Sequence, residues 1–269
     1  MIRPALLLVA FSLPAQAQER IPSHCIALAR ATPGVEVIHK AAFGAPLADE
    51  AVRLTYVAHA TFLLETPGGL VAATDFTGNL GGRDVVPDVV TMNNAHGTHW
   101  TATPDPRIPH VLRGWGEGVG PADHSLDLGE MLVRNVTTDV RSYGDTVRGD
   151  ANSIFVFEVA GLCIGHLGHL HQIPSPEQYA MIGRLDVVMV PVDGGYTMST
   201  AAMAEVVQRL RSSIVVPMHW FSGASLDQFL VDMEGRFDVV RPETSSLEIA
   251  LNELPSRPTI MVLQPGLDH

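Results

Sequence analysis

Polar clusters in this chain repeatedly follow directly on an apolar run, and that pattern constrains its fold more than any other feature. His59, Asp75, Asn94 to His99, His166 to His171, Asp193 and His219 each stand where a short hydrophobic stretch ends. Short apolar runs bounded by Gly, Pro and Asn read as strands rather than helices. Residues at strand ends gather in the loops of an α/β scaffold, where sites are built. Strands are expected within 52–75, broken at Ala58-His59-Ala60 and turned at Pro67-Gly68-Gly69, and again at 87–92, 126–136, 153–159, 186–192, 215–216, 239–240 and 259–263. Within 186–192 every residue after Asp186 is apolar, as a sheet interior requires. Helices are expected at 26–30, at 177–184 behind Ser175-Pro176, at 200–210 behind Ser199, and at 226–233. Residues 100–120 read as loop. Strands followed by alternating helix and strand define a layered α/β domain.

The densest cluster is Gly165-His166-Leu167-Gly168-His169-Leu170-His171. In extended backbone His169 and His171 share a face. Imidazole is the commonest side-chain ligand of borderline metals such as zinc. A hydrogen-bonded polar loop without metal is the competing reading of this stretch alone.

The net charge of −12 argues against nucleic acid or an anionic membrane as a partner and leaves a small-molecule substrate. The chain begins with an address-like segment: Arg3, an apolar run at 5–13, and Ala15-Gln16-Ala17 in the small-x-small cleavage pattern. We read residues 1–17 as a secretory signal peptide, 18–50 as a lead-in and 51–269 as the folded domain. That places the mature protein in the periplasm or outside the cell. The two cysteines, Cys25 and Cys163, are in this setting either one disulfide or buried free thiols.

From Val52 onward the order of motifs resembles the metallo-β-lactamase superfamily, nearest to the branch with the ascorbate-6-phosphate lactonases. Val57-Ala58-His59-Ala60-Thr61 is similar to that branch's Gly-His-Ala-Thr strand, and Thr74-Asp75 to its Asp-Pro strand end, with Phe76 in place of Pro. Asn94-x-His96-x-Thr98-His99 stands where the family has His-x-His-x-Asp-His. Leu167-Gly168-His169 stands where it has Gly-Asp, and Pro217-Met218-His219 matches its final His motif. The segment Asp193 to Met198, followed by a helix, also fits. The resemblance implies a four-layer αββα sandwich with metal at one edge. It also implies hydrolysis of an ester, lactone, amide or phosphoester by water that the metal acidifies.

Three departures bear on the ligand set. Asn94, Thr98 and His169 replace a His, an Asp and the bridging Asp, and no His occurs in 139–152, where Ser142, Tyr143 and Asp145 stand instead. On this resemblance His99, His169 and His219 hold one divalent ion, expected to be zinc, with manganese or iron as alternatives. A tetrahedral three-His site leaves a position open for water. A second metal is weak or absent, with His96 and His171 or His166 as its candidate ligands. Asp193 and His166 are the candidate proton shuttles. His59, Asp75, Asn94 and Tyr196 are expected beside the metal or the substrate without ligating. The alternative is a periplasmic metal- or ligand-binding protein that keeps the fold without the chemistry.

Overall fold

The computed structural model describes residues 23–27, 43–118, 120–142 and 146–266. The signal segment, most of the lead-in, Tyr143 and Asp145 lie outside the described residues. A short helix, α1 (His24–Ala27), precedes the first group of strands: β1 (Ala51–Ala58), β2 (Thr61–Glu65), β3 (Val71–Ala73), β4 (Val89–Met92) and β5 (His110–Arg113). There follow β6 (Ser125–Asp127), β7 (Met131–Arg141), β8 (Val147–Val159) and β9 (Leu162–His166). Then come α2 (Pro176–Ile182), β10 (Val187–Pro191), α3 (Thr200–Leu210), β11 (Ile214–Met218) and α4 (Gly223–Asp232). The chain closes with β12 (Asp238–Val240), β13 (Ser246–Ala250) and β14 (Thr259–Met261).

Two sheets form, in strand order β13-β1-β2-β3-β4-β5 and β12-β14-β11-β10-β9-β8-β7-β6. Period-two alternation decides which layer each side chain enters. Phe155, Phe157, Val187 and Met189 meet Leu54, Tyr56, Phe62 and Leu64 of the first sheet in the core between the sheets. Their neighbours Ile154, Val156, Val188 and Val190 face the opposite way and pack with Met203, Val206, Val207, Leu226 and Phe229 of α3 and α4. The continuous apolar strands are thus buried on both faces. The sandwich agrees with the expected α/β architecture. Over the outer face of the first sheet, however, the cover among the described residues comes mainly from the irregular stretches 76–88 and 93–109 on either side of β4, with Phe76, Leu80 and Ile108 packed on Val57, Leu63 and Val90 and joined by Phe43 and Trp115.

The structure departs from the sequence reading at several strands. The single strand expected at 126–136 is a hairpin, because Gly129 adopts φ +82° and its N–H bonds the Asp127 carboxylate, closing a turn between β6 and β7. β5 was expected as loop, and no element was assigned to the stretch that forms β13. Both are edge strands, β5 parallel to β4 and β13 antiparallel to β1. Cys25 and Cys163 form a disulfide, which settles the alternative left open above and ties α1 to β9. Ser23 and the backbone N–H of His24 bond the buried Glu158 of β8, and Arg134 of β7 pairs with Glu158 while capping the Met181 and Ile182 carbonyls of α2.

Candidate metal centre

Strand direction brings the polar clusters together. β1, β3 and β4 run the same way, and so do β9, β10 and β11, so their C-terminal ends line one edge of each sheet. The two edges are stitched by His219 N–H to His59 O at 2.8 Å, by Ser153 N–H to Asn93 O at 3.0 Å, and by the isolated bridge between Asn94 and Asn152. His59, Asp75 and His219 all have left-handed backbone, with φ of +54°, +48° and +58°. Non-glycine residues adopt this conformation at a cost and are held there by their surroundings, most often at sites. Here the left-handed turn takes each side chain off its strand and towards the shared edge.

Nδ1–H of His99 donates to Asp75 Oδ2 at 2.5 Å, and Nδ1–H of His219 donates to Asp193 Oδ2 at 2.8 Å. Each neutral ring therefore presents the lone pair of Nε2, and these two nitrogens face each other at 3.2 Å. Two lone pairs at that distance repel unless a proton or a metal ion lies with them. One nitrogen from each of His59, His99 and His219 falls within 4.8 Å of the others, and Nε2 of His59 is buried without a partner. Carboxylate–imidazole pairs with converging free nitrogens are the arrangement of a metal site, the carboxylate fixing tautomer and orientation. The residues fit a divalent cation.

His169 lies beside this triad, its ring 4.5 Å from that of His99, with Nδ1 2.6 Å from Nε2 of His171. The compact set is thus His59, His99 and His219, where the sequence reading had His99, His169 and His219. His59 is a direct candidate ligand rather than a neighbour. If His171 accepts the proton of His169 Nδ1, it serves that ring as Asp75 serves His99, and Nε2 of His169 is freed for the cation. Burial, then the neighbouring rings His219 and His99, push the pKa of His59 down to about 4. Burial with His99 and His171 takes His169 down to about 2, and burial with Arg141 takes His171 down to about 4. His96 is lowered by partial burial and by His99. These rings are neutral at pH 7, the form that ligates metal.

The other expected residues fall as follows. His96 is exposed at the mouth, bonded to Thr98 and stacked 5.8 Å from His169. Both nitrogens of His166 are engaged inside the fold: Nε2–H donates to Ala60 O at 2.7 Å, and Nδ1 accepts from Gly168 N–H and Asn93 Nδ2. It joins the two sheets and has no free atom for proton shuttling or a second metal. Asp193 accepts from His219, from Thr197 Oγ1 and from the N–H groups of Gly195 and Thr197. Burial raises its pKa, but these hydrogen bonds outweigh burial and hold it well below the usual carboxylate range. An acceptor so committed orients His219; it is not the proton shuttle expected above. Asn94 is buried with Nδ2 unpartnered, and Tyr196 is exposed at the rim. The sequence reading missed Asn93, Asn152 and Phe221. The doubled Asn at the end of β4 was the available signal for the first, while nothing in the sequence set Phe221 apart.

Two variants test this scaffold. Asp193→Asn is expected to weaken metal affinity about 10- to 100-fold, read by competition with a chromogenic chelator. At Gly168, φ is +60° and a Cβ would lie 2.6 Å from both Asn152 Oδ1 and Asn93 Nδ2. Gly168→Ala is therefore expected to cost about 3 kcal/mol of stability, from overpacking together with backbone strain, read by denaturant unfolding.

A two-sheet sandwich with carboxylate-oriented histidines at one edge defines a protein class whose members carry metal ions. The chain belongs to the family described as the beta-lactamase superfamily domain, which matches residues 53–219. It is similar to a UPF0173 metal-dependent hydrolase of Methanospirillum hungatei, 23% identical over 81% of this chain and 98% of the relative. A crystal structure from Thermotoga maritima, provisionally described as a Zn-dependent hydrolase of the metallo-β-lactamase superfamily, is 26% identical. It covers 79% of this chain and all of that one, with a TM-score of 0.56. The metallo hydrolase Igni18 of Ignicoccus hospitalis shares the fold, with a TM-score of 0.54 at 18% identity over 80% of this chain and 96% of its own.

Proposed function

We propose that this protein is an exported metal-dependent hydrolase in which His59, His99 and His219 hold one divalent cation, joined by His169. The observation that carries the reading is the 3.2 Å approach of two Nε2 lone pairs, each ring being tied through Nδ1 to a buried carboxylate. A set made of nitrogen ligands suits zinc better than magnesium or calcium, and the Thermotoga relative's description points the same way; manganese and iron are the alternatives. A bound divalent ion supplies Lewis acidity towards a carbonyl or phosphoryl oxygen and lowers the pKa of water. The chain's own residues orient and neutralise. Asp75 and Asp193 keep His99 and His219 in one tautomer, while His96 stands exposed at the mouth as an imidazole able to accept a proton. The substrate class is an ester, lactone, amide or phosphoester of small size. The acidic net charge opposes nucleic acid and anionic lipid. Export is supported by the leader-like residues 1–17 and by the Cys25–Cys163 disulfide, a bond that persists in oxidising compartments.

The test is elemental analysis of the mature protein, purified without a histidine tag, together with hydrolysis assays on one substrate of each class. About one equivalent of metal per chain is expected, with turnover lost on chelation and restored by zinc. Failure to retain metal after reconstitution overturns the reading. Retained metal without turnover in any class leaves the fold-retaining binding protein.

A further inference from the structure

Exposed aromatic side chains scattered singly on a surface need no explanation. Tyr196 and Phe221 are not single. They are 72% and 63% exposed, yet their rings meet edge to face at 5.4 Å. Phe221 continues the contact onto His219 at 5.1 Å and His59 at 5.4 Å. Apolar surface thus runs unbroken from solvent to the rings of the candidate metal site. The loop that carries Tyr196 is also fixed. The N–H groups on either side of it, of Gly195 and Thr197, both bond Asp193 Oδ1, and the guanidinium of Arg141 bonds Thr197 O. Tyr196 is therefore held out in solvent by a braced turn whose anchor is the carboxylate that orients His219. Phe221 sits two residues beyond His219, in the bend between β11 and α4. A rigid ring pays little conformational entropy on binding and covers a large apolar area.

We propose that Tyr196 and Phe221 form the substrate-docking platform of this site, taking the aromatic or apolar group of an ester, lactone or amide whose scissile bond lies over the histidines. The inference rests on the metal-site reading above and deepens it by naming the substrate class.

The experiment uses the zinc-loaded full-length mature protein and two small chelating probes, benzohydroxamate and acetohydroxamate, which differ in the phenyl ring. Metal content is measured on the same samples. The wild type is expected to prefer benzohydroxamate by roughly tenfold, the gain of two aromatic contacts. The preference should fall towards unity in Tyr196→Ser/Phe221→Leu, where Leu keeps bulk against His59 and His219. Tyr196→Ser alone, at a side chain that touches neither histidine, should lose part of it. Zinc retained with the same probe ratio in wild type and variants overturns the platform alone. Zinc not retained, with neither probe bound, overturns the metal reading and the platform with it. Capture of the wild type, but not the double variant, on neutral phosphatidylcholine vesicles with an unmoved probe ratio would reassign the pair to a lipid surface and overturn the proposal.

Discussion

His99→Ala is expected to abolish stoichiometric metal binding and to lower stability by about 3–5 kcal/mol, the cost of leaving a buried charge without its partner. Both effects follow from one contact. His99 and Asp75 are fully buried and share a 2.5 Å hydrogen bond, while the other Asp75 oxygen accepts only the long 3.3 Å bond from Asn93 N–H. Removing the imidazole takes away one of the two facing Nε2 atoms and strands the carboxylate in the interior. Asp75→Asn separates the effects. It removes the buried charge and keeps the shape, so metal affinity should drop about 10- to 100-fold with a smaller loss of stability. His96→Ala, at an exposed ring outside the compact triad, should leave stability within about 0.5 kcal/mol of the wild type. Metal titration and urea unfolding on the three variants read all of this. Full metal occupancy in His99→Ala would move the site away from the triad.

Reduction of the Cys25–Cys163 disulfide is the second large effect expected. The bond joins residues 138 apart in sequence. Closing a loop of that length removes unfolded-state entropy worth up to about 5 kcal/mol in the chain-entropy description. For a domain of this size that corresponds to a Tm lower by about 10 °C or more. The native fold should survive, because α1 is also held by Ser23 and His24 on Glu158 and by Arg184 N–H on Cys25 O. Metal stoichiometry should be unchanged, since both cysteines pack in the helix-side core away from the histidine edge. Thermal unfolding with and without reductant measures it. Cys25→Ser/Cys163→Ser should match the reduced wild type and no longer respond to reductant. A wild type indifferent to reductant would show that the bond contributes nothing.

Much of the architecture was legible because burial leaves a period in the sequence. Strands such as 153–159 and 186–192 carry apolar side chains on both faces, so they stand out against the Gly, Pro and Asn that end them. The helices behind Ser175-Pro176 and Ser199 announce themselves by their caps, and both capping hydrogen bonds form. β5 and β13 were illegible for the opposite reason. They lie at sheet edges, where β5 is only half-buried along its length and β13 is recruited by β1 far back in the chain.

The sequence by itself placed imidazoles and carboxylates at the strand ends of a layered α/β domain, because strand ends are written locally; that they would share one edge of a two-sheet sandwich was implied by the resemblance in motif order. Only the tertiary structure decided what each group does there. Ligand geometry depends on where a side chain points after its strand ends, and that is set by backbone φ and by contacts between residues far apart in sequence. A left-handed turn brings His59 into the triad, the carbonyl of Ala60 and the amide of Asn93 consume His166, and Thr197 with the loop amides commits Asp193 to orienting His219. The pairing of Cys25 with Cys163 was likewise decided across 138 residues, by the distance that folding leaves between them.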